Sequence, residues 1–235
     1  MNKIIFNGYA STDFGLVVDG RNTHNAPERD VTPLEVPGRN GTLTLDGGRW
    51  KNCDLTYDAF VYGTNWAEKA AAVRAWLLAQ TGYHRLEDTY YPDEYRLARF
   101  SGGVQWDADS LARCAKTTLA FTCWPQRFLK SGEAALTMTN GQTLTNPTLY
   151  PAKPLLQLTV TDTAKLSVGS VQLRITSYTG TLLLDCENQN AYAEGKNLNR
   201  YVDAPEFPVL DAGDTMLAWE GGISAVEITP RWWSL

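Results

Sequence analysis

Histidine, cysteine and methionine are sparse in this chain: two, four and three residues among 235. The cysteines, Cys53, Cys114, Cys123 and Cys186, show no zinc-knuckle spacing, and His24 and His84 are too few to complete a ligand set. Neither a metal site nor a cofactor is expected. Three of the four cysteines have apolar neighbours of strand or helix type, which predicts reduced, buried thiols as in a cytosolic product.

Long apolar runs are also missing. The longest, Ala70 to Ala79, is broken by Arg74 and falls short of the roughly 18–20 residues of a membrane span. Ile4, Ile5 and Phe6 run straight into Asn7-Gly8, too short for a secretory core. A soluble protein, without membrane insertion and retained where it is made, is the expectation. Basic charge is scarce: 21 Lys and Arg stand against 26 Asp and Glu, a net charge of −5. Residues 1–130 carry 15 of each sign, whereas residues 131–235 carry 6 basic and 11 acidic side chains. Neither half has the basic stripe that phosphate contacts require. The step in charge points to two separately exposed units.

Catalytic signatures are absent in the same way: there is no nucleophile elbow, no paired His/Cys motif and no phosphate-cradling loop. Glu87-Asp88 and Asp93-Glu94 flank Tyr90-Tyr91-Pro92, the composition of a glycosidase acid/base pair beside a sugar platform. Adjacent carboxylates usually only solvate a turn, so no catalytic residue is expected. His24 follows the polar Arg21-Asn22-Thr23 and reads as a surface-loop residue; His84 opens a strand and reads as structural.

What the chain does have is alternation. Cys53, Leu55, Tyr57, Ala59 and Val61 share one face, with Asp54, Thr56 and Asp58 opposite. Leu119, Phe121 and Cys123 alternate likewise, as do Leu156, Leu158 and Val160, and Val171, Leu173 and Ile175. Period two marks half-buried antiparallel strands. Asn7-Gly8, Asn40-Gly41, Asp46-Gly47-Gly48 and Asn140-Gly141 read as turns between them.

One helix is predicted at about 65–81: Asn65 and Glu68 have capping-box spacing, Trp66, Ala70, Val73 and Leu77 form its apolar stripe, and Gly82 is the stop signal. The fold class is mainly β, with two tandem β-sandwich-like domains and the helix packed on the first. The expected bounds are 1–130 for the first domain, 131–145 for a linker or hairpin, and 146–235 for the second.

Aromatics supply the candidate contacts. Eight tryptophans are many for this length, and while most should fill cores, Trp219, Trp232, Trp233 and Tyr178 are candidate partner or glycan contacts of the second domain. Trp232 and Trp233 are neighbours, so in a strand they face opposite ways, leaving one for solvent or a partner. Val36-Pro37-Gly38-Arg39-Asn40-Gly41 presents a cation between glycines. Gly38, Arg39, Asn40 and Gly41 are candidate subunit or partner contacts, or a local hairpin brace.

Taken in order, these residues resemble the distal tail proteins (Dit) of long-tailed bacteriophages. Phe6-Asn7-Gly8 and Asp13 to Val18 are similar to that family's first two strands, and Val36 to Gly41 to its most recognisable loop, with Asn40 where Asp is usual. The helix and Leu119 to Pro125 also match. So do Asn146-Pro147 with Ala152-Lys153-Pro154, Leu184 to Glu187 followed by Ala191-Tyr192, and Phe207 to Leu210. Gly213, Trp219 and the ending Glu227 to Trp232 complete the series; Cys186 stands where Ser is common. The resemblance implies a structural virion protein, not an enzyme, at the distal end of the tail and synthesised in the bacterial cytoplasm. It implies a homohexameric ring around a DNA exit channel, through which DNA passes without specific binding, and a galectin-like or jelly-roll outer domain. Implied partners are the tail tube protein, the tape-measure protein, the tail hub or tail-associated lysin, and receptor-binding or baseplate proteins. A carbohydrate-binding β-sandwich module is the alternative.

Overall fold

The structure, a computed structural model, describes residues 2–20 and 22–235; Arg21 of the expected surface loop lies outside the described residues. Contacts divide the chain into one unit ending at Arg127 and another spanning Phe128–Ser234.

The first unit opens with β1 (Ile4–Phe6) and β2 (Tyr9–Ala10), joined by Asn7-Gly8 with both residues at positive φ. There follow β3 (Val17–Gly20), β4 (Arg29–Glu35), β5 (Thr42–Trp50), β6 (Cys53–Tyr62), the helix α1 (Trp66–Leu78), β7 (His84–Asp88), β8 (Glu94–Phe100), β9 (Asp107–Asp109) and β10 (Cys114–Leu129). The main sheet runs β2-β1-β7-β8-β10-β6-β3, with β9 also on β10, while β4 and β5 form a separate two-stranded sheet. The alternation of β6 and β10 buries Leu55, Tyr57, Ala59, Val61, Leu119, Phe121 and Cys123. Onto that core α1 sets Ala70, Val73, Trp76 and Leu77. Phe6 stands edge-on to Trp76 and Phe121, with centroids at 6.4 and 5.1 Å, an arrangement that the ring quadrupole favours.

Two local details differ from the sequence reading. Asn65 sits at the N-cap but makes no side-chain cap bond, and the helix ends at Leu78. Past it, the Gln80 side chain accepts from Asn7 at 2.6 Å and the Thr81 carbonyl is taken by His84 Nε2 at 2.8 Å, so the chain is already turning into β7. Asp46-Gly47-Gly48 is not a reversal: it lies within β5 as a bulge, with three residues (47–49) facing Asp30 alone between the pairs Arg29–Trp50 and Val31–Asp46. The Asp46 carboxylate accepts the Gly48 N–H at 2.8 Å, so the local turn chemistry is satisfied without ending the strand.

The polar stretch before His24 is not wholly on the surface. Thr23 is buried, and its carbonyl accepts Arg127 Nη2 at 2.7 Å and Arg96 Nη2 at 3.4 Å. Both arginines are themselves buried. Arg127 also pairs with Glu94 at 3.5 Å and lies over the Tyr91 ring. These two cations pin the 22–25 loop to the sheet.

In the second unit, β11 (Leu136–Met138), β12 (Thr143–Asn146), β13 (Leu155–Val168), β14 (Val171–Ile175), β15 (Gly180–Asp185), β16 (Asn190–Ala193), β17 (Lys196–Asn197), β18 (Val202–Asp203), β19 (Gly213–Thr229) and β20 (Trp233–Ser234) follow in order. The long strands β13 and β19 pair with each other throughout, with register shifts between Thr159 and Ala164. The first half of β13 continues to β15 and its second half to β14; β19 carries β12 on its first half and β11 on its second. The two strands therefore serve both layers of a sandwich, and Leu156, Leu158, Leu166, Val168, Leu217, Val226 and Ile228 enter one core. The bend needs glycine: Gly221 has φ +80°, and a Cβ on Gly222 would lie 2.5 Å from Asp162 N. Within the stretch 131–145, β11 pairs with the second half of β19 and β12 with its first residues.

Candidate interaction surfaces

The hairpin β4–β5 is the most exposed element of the first unit. Between Arg29 and Trp50, every described residue but Asp30 and Trp50 is exposed. Register puts Thr32 opposite Leu45 and Leu34 opposite Leu43, so one face is apolar. Leu34, Leu43 and Leu45 are 46%, 36% and 57% exposed. The other face carries Val31, Pro33, Glu35, Thr42, Thr44 and Asp46 by the same alternation.

Charges brace its base. Arg29 holds Asp46 through Nε at 3.1 Å and Nη2 at 2.9 Å and lies over the Trp50 ring. Arg49 pairs with Asp30 at 2.7 Å, and Lys51 with Glu28 at 3.8 Å. Hydrogen bonding to Arg29, then to the Gly48 amide, holds the Asp46 carboxyl below its usual range. The same bond to Asp46 raises the Arg29 guanidinium.

The predicted loop is the tip of this hairpin. Arg39 N–H donates to Val36 O at 3.1 Å, closing a turn. Gly38 and Gly41 have φ +81° and +80° with open space where a Cβ would go, so their role is conformational. All four of Gly38, Arg39, Asn40 and Gly41 are exposed, and Arg39 makes no ion pair among the described residues. A two-stranded ribbon exposed on both faces is marginal alone, and its apolar stripe offers the hydrophobic contact that a partner would cover.

The aromatic candidates of the second unit are placed differently. Trp232 is 4% exposed within the core, which removes it as an outer contact. Trp233 does not face solvent freely: it is half-buried, stacks on Tyr150 with centroids 4.7 Å apart, and donates Nε1 to Pro151 O at 2.9 Å. Tyr178 leans on Tyr201 and donates its hydroxyl to Thr181 O at 2.8 Å. Trp219 is half-buried against the core, and the Asn140 side chain takes both its backbone N–H and C=O. Burial of an apolar body with the polar tip satisfied is the ordinary core use of such rings.

Three of the four carboxylates around Tyr90 and Tyr91 are used internally, and Asp93 is exposed. Asp88 accepts the Tyr57 hydroxyl at 2.6 Å and the Tyr90 and Tyr91 amides at 2.9 and 3.0 Å. Burial and then the Asp88 charge push the Tyr57 phenol well above its ordinary value. Glu87 pairs with Arg85 and Glu94 with Arg127. In the second unit, burial raises Asp185, but the hydrogen bonds from Arg231 and Asn188 outweigh it and hold the carboxyl below the usual range. Arg231 Nη1 lies 2.7 Å from Asp185 Oδ1. Among the described residues no cluster of His, Cys, Asp and Glu is arranged to hold a metal.

Sequence reasoning missed the Leu34–Leu43–Leu45 face and the burial of Arg96 and Arg127. Alternation within 32–45 signals the former, but nothing local signals the latter.

No known family profile matches the chain, and no curated protein matches it. Among solved structures its fold is similar to those of phage hub and baseplate proteins. One such structure is the Dit protein (gp 19.1) of phage SPP1, described as a paradigm of the hub adsorption apparatus in phages infecting Gram-positive bacteria. It superimposes at TM-score 0.76 over 100% of both chains, with 16% identity. A chain of the phage P2 baseplate in its activated, calcium-bound conformation follows at TM-score 0.50, with 8% identity over 97% of both chains. At these identities the likeness is one of fold.

Proposed function

We propose that this chain is a structural protein of a phage tail tip, with no catalytic role. The observation that carries this reading is the full-length match of its fold to the SPP1 Dit protein. The exposed hairpin supports it physically. Covering the exposed parts of Leu34, Leu43 and Leu45 would contribute roughly half of the 1.5–3 kcal/mol that fully burying such a side chain gives, and a closed ring repeats such a contact once per subunit. The first unit then forms a homohexameric ring around the DNA exit channel, with Gly38, Arg39, Asn40 and Gly41 reaching a neighbouring subunit or tail protein. The second unit, carrying the net negative charge, gives repeated docking points to receptor-binding or baseplate proteins, while the tail tube, tape-measure and hub proteins meet the ring. Balanced charge in the first unit suits a bore through which DNA slides without being held.

Gold-labelled antibody against the chain, imaged on intact virions, tests the placement. Label confined to the distal end of the tail is the expected result; label on the capsid or along the tube would overturn it. The carbohydrate-module reading loses support from the burial of Trp232 and the internal hydrogen bond of Tyr178.

A further inference from the structure

Cys53 opens β6, and Cys123 lies opposite it in register on β10. At the other end of this pairing the Gly63 N–H donates to Arg113 O at 2.9 Å. That makes the odd-numbered residues of β6, Cys53 included, the hydrogen-bonded pairs of the ladder. Such pairs hold their Cα atoms about 5.5 Å apart, inside the disulfide window of roughly 4.4–6.8 Å. Opposed residues also point to the same face.

The two thiols have unequal surroundings. Cys53 is half-buried, and Arg96 Nη1 donates to its Sγ at 3.0 Å. Cys123 is fully buried, and burial pushes its thiol up to about 12. The other cysteines have no such partner: Cys114 faces Tyr62 and Asp109, and Cys186 lies in the second unit's core.

We propose that Cys53 and Cys123 form a redox couple, with Cys53 the site of attack on disulfides of small thiols and Cys123 the resolving residue. Cys53 gives its proton to solvent, and its sulfur attacks one sulfur of the small disulfide, breaking that bond and releasing one small thiolate, which takes up a proton. Cys123 then gives up its proton, and its sulfur attacks Cys53 Sγ, releasing the second small thiol. Two protein thiols are oxidised to one disulfide, and one small disulfide is reduced to two thiols. Opposed Cβ atoms start about 4.5–5.5 Å apart and must close to roughly 3.5–4.5 Å. The bond is therefore strained and readily reduced: closed in an oxidising medium, open in a cytosol. It clamps β6 to β10 on the sheet where Arg96 and Arg127 pin the 22–25 loop.

The test incubates the folded full chain with oxidised glutathione, quenches by alkylation and maps peptides by mass. Expected are a Cys53–Cys123 cross-link reversed by reduced glutathione, a glutathione adduct on Cys53 in Cys123→Ser, and neither product in Cys53→Ser. Cys123→Ala, which buries no hydroxyl, must give the same adduct and serves where serine disturbs the core. No cross-link in the unsubstituted chain, or adduct on Cys114 or Cys123 before Cys53, would overturn the proposal.

Discussion

The hairpin β4–β5 and the long pair β13–β19 are built from the same local pattern yet meet opposite fates. Both alternate apolar and polar residues on antiparallel strands. In β13–β19 the apolar set is buried, with Leu156, Leu158 and Leu217 at 0% exposure; in the hairpin, Leu45 remains 57% exposed. Alternation thus specifies which residues share a face, and tertiary cover decides whether that face is a core or a surface awaiting a partner. Ion pairs repeat the contrast: Arg231–Asp185 has one partner buried, whereas Arg29 and Asp46 are both substantially exposed.

Leu158→Ala leaves a cavity in a closed core and should cost the most, about 2–5 kcal/mol in denaturant unfolding. Next comes Arg231→Ala, expected to destabilise by about 1.5–3 kcal/mol by removing the charge-assisted hydrogen bond to the buried Asp185 carboxylate, which keeps its bonds from Glu187 and Asn188, while Arg29→Ala should leave the unfolding midpoint unmoved. Acid sharpens the same pair. Asp185 has its folded value depressed, so its contribution is fully present above the unfolded value of about 3.9 and is lost as pH falls through the folded value. Arg231→Ala should flatten that acid limb in unfolding midpoints measured from about pH 5 downward.

Gly222→Ala, whose Cβ would crowd Asp162, should cost about 1–3 kcal/mol, whereas Gly41→Ala in open space meets only the left-handed backbone penalty of about 1–2 kcal/mol. Leu45→Ser on the hairpin is likewise small for folding of the monomer, expected within about 0.5 kcal/mol at dilutions where no ring forms; a larger loss there would mean that this face is already covered within the monomer.

Much of the fold is legible from local sequence because period two and the α1 stripe depend only on neighbours along the chain. Leu55 to Val61 and Leu119 to Cys123 are buried as their alternation predicts. What was hidden depends on distant partners. Asn65 has the identity of a cap but not its bond. Asp46-Gly47-Gly48 has turn chemistry, yet β4 across the ladder turns it into a bulge. Trp232 reads as a surface ring, yet it joins Ile228 and Leu156 in the second core. For the candidate surface, residues 38–41 stand out by glycine and arginine alone. The leucines behind them alternate just as visibly, but only register and burial show that no core covers their face.

If the proposed ring forms, the hairpin's apolar face closes the contacts between its copies. Native mass spectrometry of the purified chain beside a Leu34→Ser, Leu43→Ser, Leu45→Ser variant tests it most directly. A hexamer is expected for the unsubstituted chain and a folded monomer for the variant, whose unfolding midpoint falls to that of the dissociated unsubstituted chain because assembly stabilises only the folded state. A hexamer that survives all three serines would contradict it, as would an unsubstituted chain that stays monomeric at every concentration.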